Sequence, residues 1–166
     1  MKSTLKLMTI LFSLLLMNCG GKEEKKKEGF SYEKKTTTEQ TLKKEDAVPA
    51  SKKITLNNKG VGPITSLDLS SEIDQEMATH GADVFKKMCT ACHRADKKFI
   101  GPAPTGILER RSPEWIMNMI LNPEEMVQKD PLAKELLIEF NGSPMANQNL
   151  TQEEARAVLE YFRTLK

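Results

Sequence analysis

The 166-residue chain is short of the residues that fill most cores. It has one Trp, two Tyr and six Phe, so aromatics make up 5 % of it. That is lean for a domain packed from side chains alone. Three cysteines exclude a disulfide-rich scaffold. The formal net charge of +2 is too small for a dedicated nucleic-acid binder. No apolar run reaches the ~18 residues needed to span a bilayer as a helix. That argues against an integral helical membrane protein, but leaves a membrane-attached one open.

What is present divides into three pieces. In the first, residues 1–18, Lys2 and Lys6 precede an apolar run from Leu7 to Met17. The run is too short to cross a membrane and reads as the h-region of an export signal. It ends in Leu16-Met17-Asn18-Cys19-Gly20-Gly21, which resembles a bacterial lipobox, although Met17 and Asn18 stand where small residues are commoner. The resemblance implies a lipid on Cys19, and two or three acyl chains hold a protein stably on a membrane. The alternative is an ordinary secreted protein with a free Cys19.

The second piece, residues 19–59, is rich in charge and poor in clustered apolar residues. From residue 20 onward its lysines outnumber its acids eleven to seven. Such a segment buries too little surface to offset its ordering entropy and is expected to be a disordered tether. As a coil of about 40 residues it reaches roughly 35 Å. Its opening, Lys22-Glu23-Glu24-Lys25-Lys26-Lys27-Glu28, also resembles surface-export signals of Bacteroidetes lipoproteins. Ile54-Thr55-Leu56 and Gly60-Val61-Gly62-Pro63-Ile64 form either a short strand or an extended strap over the domain.

The third piece, residues 60–166 with a core over about 72–166, holds the chemistry. Ser71 can cap a helix running to about Cys89, with Ile73, Met77, Val84, Phe85 and Met88 as its apolar stripe. Ser112-Pro113, Asn122-Pro123 and Asp130-Pro131 each place a good N-cap before proline at the first helical position. Thr151 and Glu154 form a capping box. Ala155, Val158, Leu159, Phe162 and Leu165 mark one face of the last helix. The reading is all-α, with no βαβ alternation.

Cys89-Thr90-Ala91-Cys92-His93 decides the chemistry. C-x-x-C-H marks c-type haem attachment. Two thiols three positions apart add to the two vinyl groups of one haem, and the adjacent imidazole ligates the iron. A thioredoxin-like dithiol would want a βαβ context, and a structural zinc site about four ligands. Cys89 and Cys92 therefore carry haem c and His93 is the proximal ligand. An opposite ligand is sought among the methionines and His80. Met145 stands out in the stiff loop Asn141-Gly142-Ser143-Pro144-Met145, and a thioether raises the potential. Met117, Met119 and Met126 read as packing. His80 reads as a surface or structural residue.

From about Gly81 to Lys166 these residues resemble class I monohaem cytochrome c. The resemblance implies a cytochrome c fold of about four to five helices around one covalent haem. It implies that Gly81 and Phe85 pack against Tyr161 or Phe162 of the last helix. It implies that the Pro102 carbonyl, in Ile100-Gly101-Pro102, orients His93, and that Met145 is the distal ligand. Arg110, Arg111 and Trp115 are similar to residues near the haem propionates in bacterial members. The Arg110–Met119 run and the Ser143–Asn149 loop are also similar to lipoprotein cytochromes encoded with nitrous oxide reductase in Bacteroidetes.

The function expected is a tethered, monomeric, non-enzymatic electron carrier in the periplasm. It would take electrons from a quinol-oxidising complex or other respiratory donor and pass them to a terminal reductase or oxidase, without nucleic acid. The alternatives are a haem sensor or enzyme with an open sixth position, or a surface-interaction lipoprotein without haem.

Overall fold

Five α-helices form among the residues described in the computed structural model, 48–166. The expected signal segment 1–18, the lipidation site Cys19 and the tether to residue 47 lie outside the described residues.

Helix α1 spans Gln75–Met88 and is capped by Asp74, whose carboxylate accepts the Met77 N–H at 2.9 Å. The sequence pointed to Ser71. The shift has a tertiary cause: the Asp74 N–H donates to the buried Glu160 carboxylate at 2.9 Å, which fixes where the helix begins. The stripe also differs. Val84 and Phe85 are buried as expected, but Ala78 and Gly81 are the other buried positions and Met88 is exposed. Close helix packing selected small residues that a search for large apolar ones passes over.

Three short helices follow in series. Helix α2, Pro113–Leu121, is capped by Ser112, whose hydroxyl accepts the Trp115 N–H at 3.1 Å. Helix α3, Pro123–Lys129, has no side-chain cap. Asn122, the expected cap, donates its amide to the Glu125 carboxylate instead. Helix α4, Pro131–Glu139, is capped by Asp130, which accepts the Ala133 N–H at 2.8 Å. Helix α5, Gln152–Thr164, opens on the expected capping box between Thr151 and Glu154.

Helices α1 and α5 cross at Gly81. A Cβ there would stand 1.9 Å from the Ala157 carbonyl oxygen, so only glycine lets the two backbones meet. One turn on, the Phe85 ring lies 5.5 Å from Tyr161 and 5.7 Å from Phe162. Both aromatics, rather than one, serve as its partners. The crossing is further locked by Glu160, fully buried between Arg156 at 2.5 Å and Arg163 at 2.6 Å.

Residues 48–70 form the extended strap, with one parallel bridge among the described residues, from Thr55 to Arg111 just ahead of α2. Its packed part begins upstream of residue 60, since Ala50 is already buried. The reason is polar rather than apolar. The buried Asn118 side chain accepts the Ile64 N–H and donates to the Lys59 and Ile64 carbonyls, each at 2.9 Å. Asn58 donates to Asp130 at 2.7 Å, and Ser51 bonds Glu139. Charge composition alone carries no sign of these anchors.

Candidate functional site

The end of α1, the loop after it, α2, α4 and α5 surround one cleft of about 1380 Å³ of atom-free space, part of it open to solvent. Cys89, Cys92, His93, Pro102, Arg110, Arg111, Trp115 and Met145 all line it. Sequence positions up to 56 residues apart are thus gathered around one largely apolar space.

The proximal wall is built by local turns. Cys92 and His93 donate their N–H groups to the Cys89 carbonyl at 3.1 and 2.9 Å, and Gly101 N–H closes the loop onto the Cys92 carbonyl at 2.8 Å. The His93 ring is set by its Nδ1, which lies 2.8 Å from the Pro102 carbonyl oxygen. A carbonyl only accepts, so Nδ1 carries the proton and Nε2 keeps its lone pair. That is the tautomer a metal-ligating imidazole requires, held by the outer partner that raises its basicity. Gly101 makes the close approach possible: a Cβ there would stand 2.5 Å from His93 Cε1.

Cys89 is half-buried and Cys92 exposed. Burial, reinforced by neighbouring Cys92, pushes the Cys89 thiol up to about 11. A thiol in that setting stays protonated at neutral pH, and a thioether bond removes the ionisable group altogether.

On another wall, Arg111 is buried. It donates to the Ala50 carbonyl at 2.6 Å, to the Arg110 carbonyl at 2.9 Å and to the Lys53 carbonyl. Burial and the Arg110 charge lower its pKa, opposed by Asp130 and Glu139. Arg110 donates to the Gly106 carbonyl at 2.9 Å. The Trp115 indole N–H donates to Asp130 at 3.2 Å. That single donor is therefore in use, and the Trp115 contribution to the cleft is its ring. Both arginines also line the cleft, with their bonds going to backbone carbonyls.

Met145 lines the cleft from the loop between α4 and α5. Met117 and Met126 are buried in the core, as packing residues should be. Met119, assigned to packing from sequence, packs against the core and also lines the cleft, which Met88 lines too. The signal for Met119 was available: it follows Trp115 by four residues and shares its helical face. His80 is exposed on α1 and does not line the cleft. Ser51, from the strap, does, and no sequence motif marks it.

The cleft fits a haem group. It is large and mainly apolar, with two thiols and a tautomer-fixed imidazole on one wall and a thioether on a separate loop. Cys89 and Cys92 would hold the porphyrin, with His93 and Met145 facing the iron.

Comparison with known proteins supports the same assignment. The cytochrome c family profile matches residues 78–166, more than half of the chain. Among solved structures, cytochrome c from Rhodothermus marinus is 44 % identical, with a TM-score of 0.61, covering 63 % of this chain and 89 % of that one. An engineered cytochrome c from the same organism is 43 % identical, with a TM-score of 0.60, covering 63 % of this chain and 90 % of that one. An engineered form described as bound to a carbene intermediate is 44 % identical, with a TM-score of 0.58, covering 63 % of this chain and 89 % of that one. None of the curated proteins matches.

Proposed function

Because the chain belongs to the cytochrome c family, carries haem c covalently and is a haem-based electron carrier, we propose that it works as a membrane-tethered shuttle. It moves one electron at a time between a respiratory donor and a terminal reductase. Haem c supplies the one-electron ferric–ferrous couple. Cys89 and Cys92 would anchor the group and His93 would ligate its iron. Pro102 keeps the His93 proton on Nδ1. Met145, which lines the same cleft, would be the second ligand, leaving no open position at which a small molecule is turned over. Cys19 carries the lipid, and residues 20–47 give the exported domain its reach. The acceptor that fits the sequence resemblance is nitrous oxide reductase.

The observation that carries this reading is the pair His93 and Met145 lining one apolar cleft, with the His93 tautomer already fixed. Purified full-length protein should show haem mass, low-spin spectra in both oxidation states and a weak thioether-to-ferric band. A high-spin ferric spectrum would sink the carrier reading. Cys19→Ala should release the domain from membranes. Reduced protein should be reoxidised by nitrous oxide reductase. Oxidation by a terminal oxidase alone would redirect the partner assignment.

Two observations favour a second reading, a haem enzyme or sensor with a displaceable sixth ligand. Among the described residues, the hydrogen bonds of loop 144–150 stay within the loop, and a 44 % identical engineered relative is described as bound to a carbene intermediate. Ready carbon monoxide binding by the reduced protein at neutral pH would support it.

A further inference from the structure

The strap does more than cover the helices. It runs antiparallel to α4: Ser51 meets Glu139, Lys53 meets Glu135 and Asn58 meets Asp130. At its upstream end the turn Ala50–Lys52 is gripped from two sides. The Glu139 carboxylate accepts the Ser51 N–H at 2.7 Å and the Ser51 hydroxyl at 2.6 Å. From the other side Arg111 donates to the Ala50 and Lys53 carbonyls. Ser51 and Arg111 both line the cleft, so this clasp joins the start of α2 to the end of α4 along the rim.

Glu139 is the last residue of α4, and the Met145 loop grows directly from it. Gly142 N–H bonds back to the Leu137 carbonyl at 2.7 Å, and Ser143 N–H to the Phe140 carbonyl at 3.1 Å. The loop root is thereby tied to the last turn of the helix. Pro144 follows at once, and its fixed φ carries the direction of the root to Met145. Residues 144–150 have no hydrogen bond to the rest of the domain among the described residues. Met145 and Leu150 pack against the core, so the loop is held by apolar contact and, through hydrogen bonds, by its root on the last turn of α4.

We propose that Glu139 is a positioning residue for the distal side of the cleft: through its two bonds to Ser51 it holds the root of the Met145 loop and keeps the thioether in place against competing ligands. The proposal rests on Met145 being the distal ligand. Displacing Met145 would move a loop whose root Glu139 holds through the Ser51 bonds. The clasp is satisfied in this structure, and a difference in its strength between the two loop positions would be the differential interaction a population shift requires.

The test uses the full-length haem-loaded protein with imidazole as the competing ligand, followed by loss of the thioether-to-ferric band. Glu139→Ala should tighten imidazole binding by about tenfold, the scale of one charge-assisted hydrogen-bonded contact. Glu139→Gln, which can still accept from and donate to Ser51, should lie nearer the wild type. Glu135→Ala, on the same helix and the same strap, should leave imidazole binding unchanged. If Glu139→Ala does not fold, Ser51→Ala removes one of the two bonds and should tighten binding by a few-fold. Lower thermal stability with unchanged imidazole affinity overturns the proposal, as does Gln behaving like Ala. A wild-type protein without the band overturns the assignment of Met145 itself.

Discussion

Gly101 and His93 are in contact: a Cβ on Gly101 would come within 2.5 Å of His93 Cε1 and 2.9 Å of Nδ1. The same ring nitrogen is the one bonded to the Pro102 carbonyl. Space and tautomer are thus controlled by adjacent residues. Gly101→Ala should tilt the imidazole and weaken its bond to Pro102. The expected result is a chain that still carries haem mass on Cys89 and Cys92, but with an altered low-spin spectrum and a shifted potential. A spectrum identical to wild type would show that the ring has room to move.

Three methionines line the cleft, and they are separable by substitution. Met145→Ala should abolish the thioether-to-ferric band and lower the reduction potential, because a soft ligand that favours ferrous iron has been removed. Met119→Ala should keep the band and cost about 2 kcal/mol or more of stability through lost packing. The reverse pattern would move the distal ligand onto α2.

At the crossing of α1 and α5, Gly81→Ala forces a methyl group into the Ala157 backbone. Overpacking of this kind costs about 3 kcal/mol, and backbone cannot rotate aside as a side chain can. Thermal unfolding should register the loss, with the Phe85–Tyr161–Phe162 cluster loosened.

The buried Asn118 amide makes all three of its strap bonds with backbone groups of Lys59 and Ile64. Asn118→Ala leaves those groups without partners, at about 1–3 kcal/mol for each one that stays buried. Amide exchange should speed up at Ile64 well before it does in α1 and α5. Uniform loss of protection would mean that the strap unfolds only with the whole domain.

Glu114 gives the fold a specific acid limb. Burial alone would raise its pKa. Its own backbone N–H, the Lys59 ammonium at 3.2 Å and the Leu67 backbone outweigh that and hold it below the usual carboxylate value. The unfolded chain therefore binds this proton more readily than the folded one. The stabilisation is complete above the unfolded glutamate pKa of about 4.3 and is lost as pH falls through the lower folded value. Glu114→Gln should be less stable than wild type at neutral pH, with the difference shrinking below about pH 4. A gap that stays constant in acid would rule out this linkage.

The haem motif, the helix starts at Ser112, Asp130 and Thr151, and the loop that carries Met145 are all local patterns. Each depends on a few neighbouring residues, so each was legible in the sequence. The cap at Asp74, the packing at Gly81 and the cleft position of Met119 were less legible, because their partners lie on other helices.

By itself the sequence determined the chemistry: two thiols and an imidazole at fixed spacing, and three helices started by their own caps at Ser112, Asp130 and Thr151. Only the tertiary structure decided which residues share the cleft. It also decided that an extended strap closes the rim through Ser51, Arg111 and Glu139. The physical reason is range. Covalent spacing and capping act within one turn, whereas a buried polar group takes whatever partner the packing brings to it, and no local pattern encodes that partner.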